Sequence, residues 1–323
     1  MTSGTMPAAV LAEAGRLEIA LRPVPSLGGA ADVLLDVAAC GICGTDLQIL
    51  GGGHPATPGV ILGHEFTGTV ADVGEGVTVL EPGARVVVAP NVSCGQCEWC
   101  RRGLRNQCER FTTHGVFVDG GLAPHVRVPA SACHPVSPSL PAHVAALVEP
   151  LSTVVHGVRQ ARPFPGETAL VIGAGPIGLM FVALFRLAGL RVAVAEPCEE
   201  RATLARELGA EDLGDARADV VVDAVGSQLG AALDRVARGG RILLFGVNAK
   251  ARTELAQERI TRDELTILGS FVGQDVFPDA IRLLEGGRLD LEPLVTHRIA
   301  LEELPAAVDE LRAGRAVKVE VVF

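Results

Sequence analysis

Cationic side chains are scarce in this 323-residue chain: 28 Lys and Arg stand against 38 Asp and Glu, for a net charge of −10. Nucleic-acid binding rewards clustered Lys and Arg, so the balance argues against a nucleic-acid partner. The opening "MTSGTMPAAVLAEAGRLEIALRP" lacks a basic start followed by a long apolar run, so no secretory signal is expected. Also missing is an unbroken apolar stretch of the roughly 20 residues that a bilayer demands. "ALVIGAGPIGLMFVALF" (169–185) comes nearest, but glycines and a proline interrupt it. Neither repeats nor a low-complexity linker occur. Together these absences imply a cytoplasmic protein with no membrane partner, in which thiols stay reduced and clustered cysteines favour metal over disulfide.

Cysteine is what the chain concentrates. Four of its eight fall in "CGQCEWCRRGLRNQC" (94–108), spaced C-x2-C-x2-C-x7-C at Cys94, Cys97, Cys100 and Cys108. Four thiolates on a compact loop suit tetrahedral Zn²⁺ with no position left for substrate, so the implied role is structural. An iron–sulfur cluster is the rival, because it also uses cysteine quartets. Disulfides fit less well, since adjacent C-x2-C pairs bridge only with strain. Arg101, Arg102 and Arg105 offset thiolate charge or are simply solvated.

Length allows two domains with cores of their own. The first half reads as strands and turns: "DVLLDVAAC", "FTGTVADVG", "ARVVVAP" and "HVRVPA" are rich in β-branched residues and punctuated by Gly and Pro. From Pro141 the spacing turns helical, with "AHVAALVEP" and "LSTVVHGVRQA" expected to be separated by Pro150. Strand and helix then alternate from "TALVIG" to "RILLFGV", which is how a parallel sheet covered by helices is written. A final helix and strand could return to the first half. The expected division is 1–153 with a metal lobe near 90–110, then 154–289 as a nucleotide domain, then 290–323 rejoining the first.

Two further constellations carry chemistry. "CGICGTDLQ" and "GHEF" offer Cys43, His64 and Glu65 from separate loops, and "LVEPLS" adds Glu149. Ligands scattered in this way suit a catalytic zinc, which keeps one position open. "TALVIGAGPIGLM" is G-x-G-x-x-G (Gly173, Gly175, Gly178) directly after an apolar strand, with Pro176 and Ile177 opening a helix. Such glycines let backbone N–H groups approach a pyrophosphate. Glu196, about twenty residues on, is placed to hold ribose hydroxyls. Its charge, with Glu199 and Glu200 close behind and no cation before Arg201, would repel a 2′-phosphate, so NAD is favoured over NADP. "DAVGS" with Val225 and "LLFGV" with Gly246 and Val247 are expected at later strand ends lining the nucleotide.

The motifs "GICGTD", "GHEFTG", the cysteine quartet, "VEPLS" and "VIGAGPIG", in this order, resemble the zinc-containing medium-chain alcohol and polyol dehydrogenases over nearly the whole chain. The resemblance implies an α/β fold: a GroES-like β-barrel catalytic domain plus a Rossmann doubly wound parallel sheet. It implies two zinc ions per chain, NAD, a small-molecule alcohol substrate and a homo-oligomer, tetramer or dimer. By position, Cys43 and His64 would hold the catalytic zinc with Glu65 or Glu149 completing it. Thr45 would pass on the alcohol proton, Asp46 would brace the zinc site, and Cys40 would merely pack. Glu149 in place of a cysteine points to the sorbitol and threonine dehydrogenase branch. The implied reaction interconverts a secondary alcohol and its ketone, with a threonine-type amino-alcohol dehydrogenase or a non-catalytic NAD-binding zinc protein as alternatives.

Three departures stand out. Gln48 occupies a place where many relatives carry a proton-relaying histidine, so water, Glu149 or His54 must carry the proton out. The Arg-Tyr pair that grips sorbitol is replaced by Val272 and Gly273, and the chain has no tyrosine at all, which points to another alcohol such as a cyclitol or modified sugar. Phe117 and Phe271 could line that pocket. Finally, only a few residues separate "GAEDLG" (209–214) from "ADVVVDAVG" (218–226). A parallel crossover needs a dozen or more, so the Rossmann sheet is expected to lack one crossover helix and to carry a bare patch.

Overall fold

The structure is a computed structural model describing residues 4–12 and 15–323. It contains two compact units, Met1–Pro150 with Phe277–Phe323, and Leu151–Val276. The second unit ends earlier than residue 289, because the helix Phe277–Glu285 belongs with the first. Its Phe277, Ala280, Ile281 and Leu284 are buried, and the Phe277 ring stacks on His134 at 5.1 Å.

The first unit is organised by the strand Asp32–Gly41. Alternate residues Val33, Leu35 and Val37 are at most 4% exposed and enter one core with Phe66, Val86 and Val319. Each Val or Leu so buried contributes about 1.5–3 kcal/mol. One edge of this strand pairs antiparallel with Glu65–Val73, and onward lie Arg85–Val88 and Cys133–Pro135. The opposite edge is divided between two partners. His125–Pro129 takes residues 32–36, and Lys318–Val322 takes residues 39–41. The C-terminal strand thus returns to the first half of the chain, with Val295–Ile299 parallel to its outer edge.

The second unit is a five-stranded parallel sheet in the order Arg191–Ala195, Thr168–Ile172, Ala218–Asp223, Val236–Leu244 and Thr266–Gly269. The trimmed crossover is plain: between the helix Glu199–Glu207 and the strand Ala218–Asp223 there is neither helix nor strand. Arg191–Ala195 is therefore the sheet edge, and the Glu211 N–H caps it by donating to the Val192 carbonyl (2.7 Å). A groove of about 470 Å³ remains, lined among others by Ala193, Val194, Arg206, Leu213 and Arg235.

One helix boundary differs from the sequence expectation. Pro150 does not divide one helix from the next. The break falls at Leu147, and Pro150 sits in the first turn of the helix Val148–Ala161. A proline is tolerated there because first-turn N–H groups have no intrahelical partner to lose. Glu149 lies in the same turn.

The shortened crossover predicts uneven protection from hydrogen exchange. Amides of the central strand Ala218–Asp223 should exchange orders of magnitude more slowly than those of residues 208–217, which have few cooperative backbone bonds. Equal protection, read by mass spectrometry, would mean that the turn covers the sheet as firmly as a helix.

Candidate functional site

Strand register assembles the first cluster. Gly41 pairs with Glu65 across neighbouring strands, so the residues just beyond Gly41 and just before Glu65 are neighbours. Cys43 becomes the N-cap of the helix Gly44–Leu50, and its N–H donates to Asp46 Oδ2 (2.8 Å). Gly63 makes the turn into "GHEF" possible. It has φ +89°, and a Cβ there would lie 2.6 Å from the Cys40 sulfur. Cys43, His64 and Glu65 each offer one ligand atom, all within 4.8 Å of one another.

The electrostatics around these three call for a cation. His64, Asp46, Glu65 and Glu149 are all buried. Asp46 Oδ1 lies 3.7 Å from His64 Nδ1, and neither atom has a hydrogen-bond partner among the described residues. Burial alone would lower the His64 pKa, but the Cys43 sulfur and the Asp46 and Glu149 carboxylates outweigh it and hold the imidazole well above its usual range. Burial raises the Asp46 carboxyl and pushes Glu149 up to about 7, with Glu65 adding to the rise. A thiol, an imidazole and several acids in one low-dielectric pocket form a soft-and-hard donor set that suits divalent zinc. Thr45 is half-buried beside Asp46, whereas Gln48 is exposed. Half-buried His54 is engaged with its own neighbour, the Pro55 carbonyl (2.8 Å). Cys40 is fully buried, and burial raises its thiol well above the ordinary range, so it packs.

Sequence reasoning missed two members of this cluster. Lys318 is 2% exposed, and its Nζ donates to Glu65 Oε2 and to the Ile42 carbonyl (3.0 Å). Burial would lower its pKa, but Glu65 and the Cys43 sulfur raise it to about 12. Two residues along, Glu320 is 0% exposed, and burial pushes its carboxyl up to about 8 against the pull of Lys318. The signal was present in the chain. Only two lysines occur, Lys250 and Lys318, and "VKVEVV" sets charges alternately among valines in a strand with no room for them.

The cysteine quartet is equally compact. Its four sulfurs lie within 4.8 Å of one another, with 4.0 Å between Cys94 and Cys100 and 3.9 Å between Cys97 and Cys108. Zinc–sulfur bonds of roughly 2.3 Å in a tetrahedron require edges of roughly 3.8 Å, so the cage has the right size. No disulfide is formed among the eight cysteines. Backbone N–H groups of Cys94 and Arg110 donate to the Cys108 sulfur (3.2 and 3.3 Å), and that of Cys97 to the Cys94 sulfur (3.4 Å). Such bonds favour thiolate. The Gln96 backbone leads those that lower the Cys94 thiol to about 6.

In the second unit, Gly173 takes φ +95°, and Gly175 caps the helix Pro176–Leu187 with Pro176 at its start. A Cβ on Gly178 would lie 1.9 Å from the Gly173 carbonyl oxygen, so only glycine fits where helix and strand meet. Ile177 follows in the first turn. Glu196 accepts from the N–H groups of Ala174 (2.7 Å) and Cys198 (3.0 Å) and from the Arg201 guanidinium (2.6 Å). Burial would raise its carboxyl, but those donors, Arg201 foremost, bring it below the ordinary value. Asp223 accepts from the N–H groups of Val225, Gly226 and Gln228 and so shapes that loop. Val225 and Val247 remain 48% and 60% exposed, flanking the close approach of Gly226 to Gly246. Phe271 is also exposed, with Val272 strained at φ +43° beside it. Phe117, in the first unit, packs against the core there.

Comparison with known proteins joins these observations. Residues 29–138 match the alcohol dehydrogenase GroES-like domain, and residues 176–286 match the zinc-binding dehydrogenase domain. D-altritol 5-dehydrogenase of Agrobacterium fabrum is 40% identical over 311 residues, covering 90% of this chain and 92% of that protein. D-arabinitol dehydrogenase 1 of Uromyces fabae is 36% identical, covering 90% and 89%. A crystal structure of a zinc-binding dehydrogenase from Sinorhizobium meliloti, bound to NADP, superposes with a TM-score of 0.94 at 33% identity, covering 99% of this chain and all of that one. With an α/β architecture, a GroES-like domain and a parallel nucleotide sheet, the chain is an oxidoreductase that belongs to the zinc-containing medium-chain alcohol and polyol dehydrogenase family.

Proposed function

We propose that this protein is a zinc- and NAD-dependent dehydrogenase that interconverts a secondary alcohol of a polyol, cyclitol or modified sugar with its ketone. The observation that carries the reading is the trio Cys43, His64 and Glu65, whose ligand atoms converge among buried acids. Cys43 and His64 hold the zinc, with one of Glu65 and Glu149 joining at a time. Adding both carboxylates to one thiolate would make the centre anionic and blunt it as a Lewis acid. When bound, zinc supplies Lewis-acid polarisation of the alcohol oxygen, and NAD supplies the hydride acceptor.

The chain's own groups supply the rest. Asp46 faces His64 Nδ1 and orients the ring for its metal-binding role. Thr45 offers a hydroxyl that takes the alcohol proton onward. The exposed Gln48 cannot accept a proton near neutrality, whereas Glu149, with its carboxyl pushed up to about 7, can hold one there. Cys94, Cys97, Cys100 and Cys108 hold a second, structural zinc. Gly173, Gly175, Pro176, Ile177 and Gly178 receive the pyrophosphate, and Val225, Gly246 and Val247 line the nucleotide.

For the coenzyme, Glu196 supports NAD because its carboxylate is buried, ionised and directed by two backbone N–H groups. Arg201 is committed to that carboxylate rather than free for a 2′-phosphate. The Sinorhizobium meliloti relative holds NADP, so this position is where the two coenzymes are to be distinguished. The alditol substrates in the names of the two sequence relatives support the polyol class, while Val272 and Gly273 with the absence of tyrosine argue against sorbitol itself.

Three outcomes test this reading. Purified protein screened with polyols, cyclitols and sugar alcohols should generate NADH absorbance that a chelator abolishes and zinc restores; silence across the panel with zinc present would reject the substrate class. Cys43→Ser should lower kcat/KM by about three orders of magnitude while moving Tm by less than about 2 °C. Cys97→Ser should instead lower Tm by several degrees and release one zinc per chain, and similar melting losses in both variants would reject the division of roles. Glu196→Ser should free Arg201 and shift the NADP-to-NAD preference by roughly tenfold or more, a change of about 1.4 kcal/mol; an unchanged ratio of kcat/KM values would remove Glu196 from coenzyme choice.

A further inference from the structure

Strand register places a row of charged residues across the first unit's sheet. Glu65 pairs with Gly41, Gly41 pairs with Glu320, and Glu320 pairs with Arg298. Residues opposite one another in a ladder point to the same face, as do residues two apart along a strand. Lys318 therefore shares its face with Glu320, while Val319 and Val321 enter the apolar core on the other side.

Gly41 leaves the second place of the row without a side chain. A Cβ there would lie 2.4 Å from Glu65 Oε2 and 2.9 Å from Lys318 Cε. The lysine stem fills this gap and carries its ammonium over Gly41 to Glu65. At the other side stands Glu320, wholly buried, with neither carboxyl oxygen hydrogen-bonded among the described residues. Arg298, next in the row, donates instead to Glu292 (2.9 Å). Among the described residues Lys318 is the one buried Lys or Arg side chain. A buried carboxyl whose two oxygens lack hydrogen-bond partners is costly to keep, and most costly when ionised. The buried cation beside Glu320 is the lysine on its own strand, whereas Arg298, the other positive charge near it, is exposed.

We propose that Glu320 is a positioning residue for the metal centre, sharing the Lys318 ammonium with Glu65 and so setting how freely Glu65 can face the cation. The proposal rests on the reading of Cys43 and His64 as a metal site. With the ammonium on Glu65, that carboxylate is held by Lys318. Drawn back towards Glu320, the ammonium releases a Glu65 oxygen. Gly41 is the gap through which it moves, because any side chain there would fill the path.

Cobalt(II) is the probe, since its visible absorption reports the donor set and the Cys43-dependent sulfur band isolates this site from the quartet. Glu320→Gln should leave the ammonium fixed on Glu65, weaken cobalt binding on the order of tenfold and alter the visible spectrum. Adding Glu65→Gln to Glu320→Gln should then cost little more, while Glu320→Asp should restore most of the affinity. Cobalt affinity and spectrum unchanged in Glu320→Gln, or losses from Glu320→Gln and Glu65→Gln that add independently, would overturn the proposal. Should Glu320→Gln not fold, Gly41→Ala crowds the same gap against flexible side-chain ends and should weaken cobalt binding likewise; wild-type binding by that variant would equally overturn it. A wild-type protein that takes up no cobalt at Cys43 would instead defeat the metal reading itself, and with it this inference.

Discussion

Burial of negative charge is the constraint on which the first unit depends. Asp46, Glu65, Glu149 and Glu320 lie away from solvent in one region, with a thiol at Cys43 beside them and a single buried lysine to oppose them. Isolated carboxylates in such surroundings are expensive, and proteins keep them only where a cation or a set of donors repays the cost. Burial raises the carboxyls of Asp46 and Glu149, and the nearby sulfur and acids raise the imidazole of His64 against its own burial. A divalent ion held by sulfur and imidazole, as proposed for Cys43 and His64, would correct this excess of buried negative charge in one step.

The backbone has little freedom in arranging this. Pairing of Gly41 with Glu65 fixes which residues meet, and a slip of one place would turn Glu65 and Glu320 towards the opposite face of the sheet, where Val319 and Val321 belong. Asp46 then serves twice, capping the Cys43 N–H through one oxygen and facing His64 with the other. The placing of the His64 ring and the start of a short helix are thus made by the same carboxylate.

Much of this was legible in the chain. The spacing of the four cysteines, the glycines after "TALVI" and the acid at Glu196 are local patterns, and the clustering of the four sulfurs and the tight turn at Gly173 follow from a few neighbouring residues. The missing crossover could be read from arithmetic alone, because residues 215–217 cannot span a sheet. What stayed hidden depended on strands distant in sequence. Lys318 meets Glu65 across 253 positions, and no periodicity within "VKVEVV" says which strand will lie beside it. The place of Pro150 was hidden for a different reason: proline opposes a helix interior but is accepted in a first turn, and its position within the helix is set by packing rather than by its own chemistry.

Among the described residues the trimmed sheet leaves its outer strand, Arg191–Ala195, with one edge unpaired by any strand, and strand borders of that kind are where foreign chains attach. This one is only five residues long, and two of its residues, Val192 and Ala193, are already buried. The Glu211 amide occupies the Val192 carbonyl, while the Glu211 carboxylate pairs with the Arg191 guanidinium at 3.2 Å. A visiting strand would have to displace a backbone bond and separate a charge pair before gaining any ladder of its own. The same turn that shortens the domain therefore guards the border it creates, which lets the chain discard a strand and a helix without becoming adhesive.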